Sequence, residues 1–155
     1  MASNLHGTAV VIGDRGVFIR GRSGAGKTEL ALELLSRGRV CGLYARLVAD
    51  DQLFTAAPSD RLVMTAPAAI AGLVEVRGLG PRPMPWQQRA VIDLVVTLIE
   101  PAQAERMPEP AAVIIASVPL PELKLAARNA PEAAPVVMAQ LRIGLFDAVH
   151  MRQNG

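Results

Sequence analysis

Aromatic residues make up only 3% of this 155-residue chain: one Trp, one Tyr and three Phe. A platform of stacked bases needs more, which argues against single-stranded nucleic acid as a ligand. The formal net charge of +2 is also too small for a phosphate-backbone footprint, so no nucleic-acid partner is expected. Cysteine occurs once, at Cys41, which excludes an internal disulfide framework and a zinc site made of cysteines. A lone cysteine reads as a small buried or half-buried hydrophobe. No run approaches the ~18 apolar residues of a membrane span. The N-terminus has no basic segment followed by a long apolar one. No membrane association is expected, and the reading is a soluble cytoplasmic protein.

What is present is aliphatic. Hydrophobic residues reach 51%, so the core must be built from Val, Leu, Ile and Ala. A chain of this length suits one domain, residues 1–155, around one core. Thr8–Ile12 and Val17–Arg20 read as a hairpin about the turn residues Gly13-Asp14-Arg15-Gly16. Lys27–Arg37 reads as a helix with Leu30, Ala31, Leu34 and Leu35 on one face and Gly38 as its stop. Arg46–Ala49 reads as a buried strand, and Gln52–Thr55 with Leu62–Thr65 as a second hairpin. Gly72–Arg77 reads as a strand leading into Gly78–Pro85, where three prolines suggest a surface loop. Val91–Glu100 reads as one strand, and Ala112–Ala116 and Val118–Lys124 as two more, bent near Pro119 and Pro121. Pro135–Val149 reads as the closing helix. The fold class is a strand-rich α/β domain with two helices.

The stretch Gly21-Arg22-Ser23-Gly24-Ala25-Gly26-Lys27-Thr28 is a complete phosphate-loop pattern between a predicted strand and a predicted helix. Its chemistry is direct. Backbone N–H groups of a glycine turn and of a helix start point partial positive charge at a triphosphate. Glycine permits the backbone angles, Lys27 can reach the outer phosphates, and the Thr28 hydroxyl can ligate Mg²⁺. ATP and magnesium are the expected cofactors.

Asp50 and Asp51 follow the Arg46–Ala49 strand, at the kind of end where α/β ligand crevices open. One could contact the metal and the other take a proton from an attacking hydroxyl. As neighbours on a strand they point to opposite faces, so they should not share a task. A solvated turn is the plainer alternative for the pair. Glu75, flanked by valines, reads equally well as a solvent-facing residue of an alternating strand. His6 and Arg106 say little alone.

Together the pieces resemble the catalytic domain of HPr kinase/phosphorylase. The residues that carry this are Leu5-His6-Gly7, the whole Gly21–Gly38 stretch, Arg46–Asp51 and Val74-Glu75-Val76-Arg77-Gly78-Leu79-Gly80. The resemblance runs from about His6 to Gly80 and is weak beyond. It implies a core similar to that of phosphoenolpyruvate carboxykinase and unrelated to eukaryotic-type protein kinases. It implies a serine kinase acting on HPr, the phosphocarrier of the sugar phosphotransferase system. The same family runs phosphorolysis of the phosphoserine and forms homo-oligomers, hexamers. Carried over by position, Lys27 holds the phosphates and Thr28, where the family usually has Ser, is a magnesium ligand. Glu75 is the second magnesium ligand, and His6 is an active-site histidine. Asp51 is the favoured base with Asp50 in support, and Arg106 matches the active-site arginine.

Departures accompany the match. Full-length members carry an N-terminal domain of comparable size, whereas this sequence begins almost at the catalytic domain. Cys41–Ala45 looks like an insertion after the helix, and Pro81-Arg82-Pro83-Met84 replaces an apolar continuation. The family's late Pro- and Arg-rich loop has only a faint echo in Ala127-Arg128-Asn129-Ala130. Two other readings stay open. One is a nucleotide-binding regulatory module with little or no phosphoryl transfer. The other is a small-molecule or carboxykinase-like kinase, with Arg82, Arg89 and Arg128 lining its pocket.

Overall fold

The computed structural model describes residues 3–147. In chain order the strands and helices are β1 (Ser3–His6), β2 (Thr8–Ile12), β3 (Arg15–Gly21), α1 (Lys27–Val40), β4 (Ala45–Ala49), β5 (Gln52–Ala56), β6 (Val63–Thr65), β7 (Leu73–Val76), β8 (Gly80–Pro83), β9 (Arg89–Val91), β10 (Leu94–Ile99), β11 (Ala111–Ile115), β12 (Val118–Ala126) and α2 (Ala130–Leu141). Six strands form the main sheet in the order β11-β12-β10-β3-β2-β4. Its centre is parallel, β12 beside β10 beside β3, and its flanks are antiparallel. A second sheet, β1-β5-β6-β9, has four strands, and β7 with β8 makes a separate hairpin.

Burial on both faces explains the long apolar runs of the main sheet. Val10, Ile12, Val17 and Ile19 face α1 and α2, packing on Leu30, Leu34, Val137 and Leu141. Ala9, Val11 and Phe18 face the four-stranded sheet, packing with Leu53, Met64 and Ala90. The result is three layers: helices, main sheet, small sheet. Phe18 is the one aromatic in the buried core among the described residues. Each large aliphatic chain so buried stabilises by about 1.5–3 kcal/mol relative to exposure.

The two hairpins and the α1 face agree with expectation, while several boundaries differ. α1 does not stop at Gly38. That glycine lies inside the helix, where a Cβ would sit 3.0 Å from Ile12 Cγ2, so its small size serves close packing on β2. The helix ends instead at Cys41, followed by Gly42 at φ +74°. Cys41 is exposed, contrary to the buried or half-buried expectation.

Gly80–Pro83 is a strand, not a loop. Met84 N–H donates to Gly72 O at 3.0 Å, which makes Val74↔Arg82 the next hydrogen-bonded pair. Pro81 and Pro83 then fall on the outer edge, where no N–H is needed.

Of the Val91–Glu100 run, Leu94–Ile99 is a strand of the main sheet as expected, while Val91 is the last residue of β9 in the small sheet. The chain crosses between layers at Ile92 and Asp93, and Asp93 is tied to Gly16 through its N–H (2.8 Å) and its carboxylate (2.9 Å). β12 accommodates Pro119 and Pro121 in the half that pairs with the edge strand β11.

α2 begins at Ala130 with Pro131 in its first turn, and Pro135 lies inside it. Pro135 cannot bond to the Pro131 carbonyl; Arg37 Nη2 donates to that oxygen instead, at 3.2 Å. Past Leu141 the chain makes a short 3₁₀ turn at Gly144–Phe146, so Leu145 is exposed rather than helical. Val149, placed in the predicted helix, lies outside the described residues. No helix among the described residues is long and apolar enough to cross a membrane.

Candidate active site

β3 delivers the chain into the phosphate loop at Gly21, whose missing Cβ leaves room for the Leu98 backbone of β10. Gly24 and Gly26 take left-handed backbone angles (φ +81° and +93°), which side chains rarely tolerate. Ala25 is buried, and its N–H donates to Arg22 O at 3.0 Å, closing the turn that carries Ser23. Gly26 is the N-cap of α1 and offers no side-chain oxygen to the helix. The first amides of α1 are thus left for an anionic ligand. Lys27 opens the helix, and its Nζ donates back to Gly21 O (3.1 Å) and Arg22 O (3.0 Å).

Next to the loop stands Asp50, at the end of β4 and only 7% exposed. Its carboxylate accepts from the Thr28 hydroxyl at 3.0 and 3.1 Å and from the Thr8 hydroxyl at 2.7 Å. The backbone N–H of Glu75 on β7 donates to the same carboxylate at 3.0 Å, which brings the Glu75 side chain, itself exposed, to this end of the molecule. Asp51 turns outward. It is exposed, at φ +81°, and its carbonyl accepts from Gly7 N–H at 3.0 Å. His6 precedes Gly7 and pairs in register with Gln52, so histidine and aspartates share one neighbourhood. A Cβ on Gly7 would lie 2.3 Å from the Phe18 ring, which is why this junction is glycine.

His6, Lys27, Thr28, Asp50, Asp51 and Glu75 are thus gathered around the loop. Arg106 is not. It is exposed and lines a cleft of about 830 Å³ with Glu105, Glu109, Glu122, Lys124 and Gln140. No residue of the phosphate loop lines that cleft.

Three features escaped the sequence reading. Thr8 carried no signal beyond being a threonine in a strand. Arg128 N–H donates to Ala25 O at 2.8 Å, and its guanidinium pairs with Glu100 at 3.0 Å. The faint echo at Ala127–Ala130 and the carboxykinase-like reading, which names Arg128 as a basic residue, were the pointers to it. Arg20, just before Gly21, donates to Thr97 (2.9 Å) and Glu122 (2.8 Å), and Thr97 donates to Glu122 at 2.7 Å. Burial pushes the Glu122 carboxyl up. The hydrogen bonds from Thr97 and Arg20, with the charges of Arg20 and Lys124, outweigh burial and hold it below its ordinary value.

Among the described residues no three His, Cys, Asp or Glu side chains form a metal cage. Magnesium bound with phosphates does not require one, because it takes one or two protein oxygens and completes its shell with phosphate and water. The Thr28 hydroxyl and the Glu75 carboxylate are hard donors of that kind.

The family model described as "HPr Serine kinase C-terminal domain" matches residues 1–142. The chain belongs to that family. The HPr kinase/phosphorylase of Xylella fastidiosa is 51% identical over 79 residues, 50% of this chain and 23% of that protein. The HPr kinase/phosphorylase of Xanthomonas campestris pv. campestris is 52% identical over 77 residues, 49% of this chain and 22% of that protein. The chain therefore covers under a quarter of the length of these relatives. The solved structure titled Hpr(Ser) kinase/phosphatase, from Coxiella burnetii, superposes with a TM-score of 0.76 at 21% identity, covering 99% of both chains. That likeness establishes the fold of the HPr serine kinase domain for this chain.

Proposed function

We propose that the chain is an Mg-ATP-dependent serine kinase domain that phosphorylates the phosphocarrier protein HPr. The observation that carries the reading is the contact of Thr28 with Asp50 at the mouth of the phosphate loop. Such a pair prepares a hydroxyl oxygen for a metal beside bound phosphates. Membership of the HPr serine kinase family supplies the substrate class.

In this reading the loop amides and Lys27 bind and orient the phosphates. Thr28 and Glu75 would hold magnesium, which when bound offsets charge on the transferring phosphoryl group. Asp50, buried and hydrogen-bonded on both oxygens, holds Thr28. Asp51, exposed beside it, accepts the proton of the acceptor serine. The serine oxygen bonds to the γ-phosphorus, the bond to the β-phosphate oxygen breaks, and ADP leaves. His6, one residue before the Gly7 N–H that donates to the Asp51 carbonyl, is the active-site histidine of this reading. Phosphorolysis of phosphoserine by inorganic phosphate would use the same groups, with Asp51 returning the proton. A cytoplasmic homo-oligomer, a hexamer in the family, and a single domain spanning 1–155 complete the proposal on the resemblance alone.

The test is transfer of γ-labelled phosphate from Mg-ATP to purified HPr, with HPr lacking its acceptor serine as control. Label on the normal HPr only is the expected result. Bound ATP without label would favour the second reading, a nucleotide-binding regulatory module. One observation speaks for that alternative: the family's late Pro- and Arg-rich loop has only a faint echo in Ala127–Ala130.

A further inference from the structure

Asp50 is held from three elements at once: by the Thr8 hydroxyl on β2, the Thr28 hydroxyl on α1 and the Glu75 N–H on β7. Thr28 has other work in the proposed site, because its oxygen lone pairs are what a metal would take. The Glu75 N–H belongs to a hairpin outside both larger sheets. Thr8 differs from both. It is 0% exposed, sits in the apolar strand Thr8–Ile12, and cannot reach a ligand in solvent. Valine would fill the same volume and suit a strand as well. A buried hydroxyl is tolerated only when bonded, and its partner is Asp50 Oδ1 at 2.7 Å, the shortest of the contacts to this carboxylate.

We propose that Thr8 is a positioning residue for the metal–phosphate site. Its hydroxyl fixes Asp50 Oδ1, so that Asp50 holds the Thr28 hydroxyl with its lone pairs turned toward the phosphates. The inference rests on the magnesium–nucleotide reading given above. Without the Thr8 hydroxyl, Asp50 keeps only Thr28 and the Glu75 N–H as donors, and its carboxylate rotates toward them. Thr28 then loses the orientation a metal needs. The phosphate contacts of Lys27 and the loop amides do not depend on Thr8.

The test compares wild type, Thr8→Val and Thr8→Ser by calorimetric titration with AMP-PNP, at stepped MgCl₂ concentrations and in EDTA, with Tm recorded for each. In EDTA the three proteins should bind AMP-PNP alike. The Mg²⁺ concentration for half-maximal enhancement of binding should rise roughly 10–100-fold in Thr8→Val, the usual effect of losing a group that orients a metal ligand, and return toward wild type in Thr8→Ser. Wild-type magnesium dependence in folded Thr8→Val overturns the proposal. So does an equal loss of affinity with and without magnesium, which would mark a structural role. Should Thr8→Val not fold, Thr8→Ala and Thr8→Ser serve, since both lack the methyl and differ in the hydroxyl; identical magnesium dependence overturns the proposal. Wild type whose AMP-PNP binding ignores magnesium would sink the metal-site reading itself, before any variant is made.

Discussion

Thr28 and Asp50 lie 22 residues apart in sequence, yet the hydroxyl of one contacts both carboxylate oxygens of the other, at 3.0 and 3.1 Å. Its neighbour Asp51 points to solvent. This division predicts different phenotypes for two adjacent substitutions. Asp51→Asn should lower phosphoryl transfer roughly 10²–10⁴-fold, the usual worth of a general base, with nucleotide binding and Tm preserved. Asp50→Asn should instead lower Tm and weaken the magnesium dependence of nucleotide binding, because a buried acceptor of three donors becomes mismatched. Rapid-quench transfer assays with melting curves separate the two. Transfer surviving Asp51→Asn would remove Asp51 as the base.

Lys27 stretches back over its own loop to the carbonyls of Gly21 and Arg22. A phosphate would compete for that ammonium with a full charge. Hydrogen bonds to charged groups contribute about 1.5–3 kcal/mol. Lys27→Ala should therefore weaken ATP binding by roughly 10–100-fold at 25 °C. The backbone of the loop supplies most of its own geometry, so the fold should persist. Equilibrium titration with labelled ATP checks this, and unchanged affinity would mean the loop does not hold a triphosphate as proposed.

The parts of this site that were legible in the sequence are local in origin. The glycine loop, the α1 face and the hairpin β2–β3 each follow from residues within a few positions of one another. Asp50 and Asp51 were readable because a strand visibly ends there. The contacts that bury one and leave the other exposed were not readable, since Thr8 reaches Asp50 across 42 positions and Glu75 across 25. The same limit explains Val91–Glu100. Its apolar run signals burial, and nothing local says that Val91 ends a strand of one sheet while Leu94–Ile99 belongs to another. Pro81 and Pro83 misled for another reason. Proline forbids a ladder hydrogen bond only on the paired side, and their two-residue spacing puts both on the open side. Arg37 at the Pro131 carbonyl likewise explains how α2 carries Pro135, a compensation that comes from another helix.

Glu122 gives the fold a pH signature. Its side chain is 7% exposed and shares Arg20 and Thr97 as donors, and its carboxyl is held below the ordinary value. A lowered folded value means that the unfolded chain takes up the proton first as pH falls. The stabilisation is therefore full above the unfolded value, about 4.3, and is lost as pH drops through the folded one. Wild-type Tm should fall steeply below that point, with a shallower acid limb in Glu122→Gln. At neutral pH the Gln variant should melt lower, because Arg20 keeps its charge without a charged partner. The two curves should converge at the acid end. Parallel curves from pH 7 to pH 3 would show that Glu122 is not the group responsible.

Arg106 separates the kinase reading from its alternative. The residue is exposed in the segment between β10 and β11 and lines a cleft with Lys124 and Glu122. A kinase needs positive charge on the phosphoryl group in transit, and loss of one such contact costs about 10²–10³-fold in kcat. On the kinase reading, Arg106 is the cation that meets the phosphoryl group in transit. Arg106→Ala should then leave ATP binding and Tm unchanged and lower transfer to HPr by about that factor. Lys27 stands at the loop, so its variant should lose binding, whereas the Arg106 variant should lose only the chemical step. Single-turnover transfer at saturating ATP reads the difference directly. If transfer by Arg106→Ala equals that of wild type, Arg106 has no part in the reaction and Arg128, already against Ala25, becomes the cation to replace next.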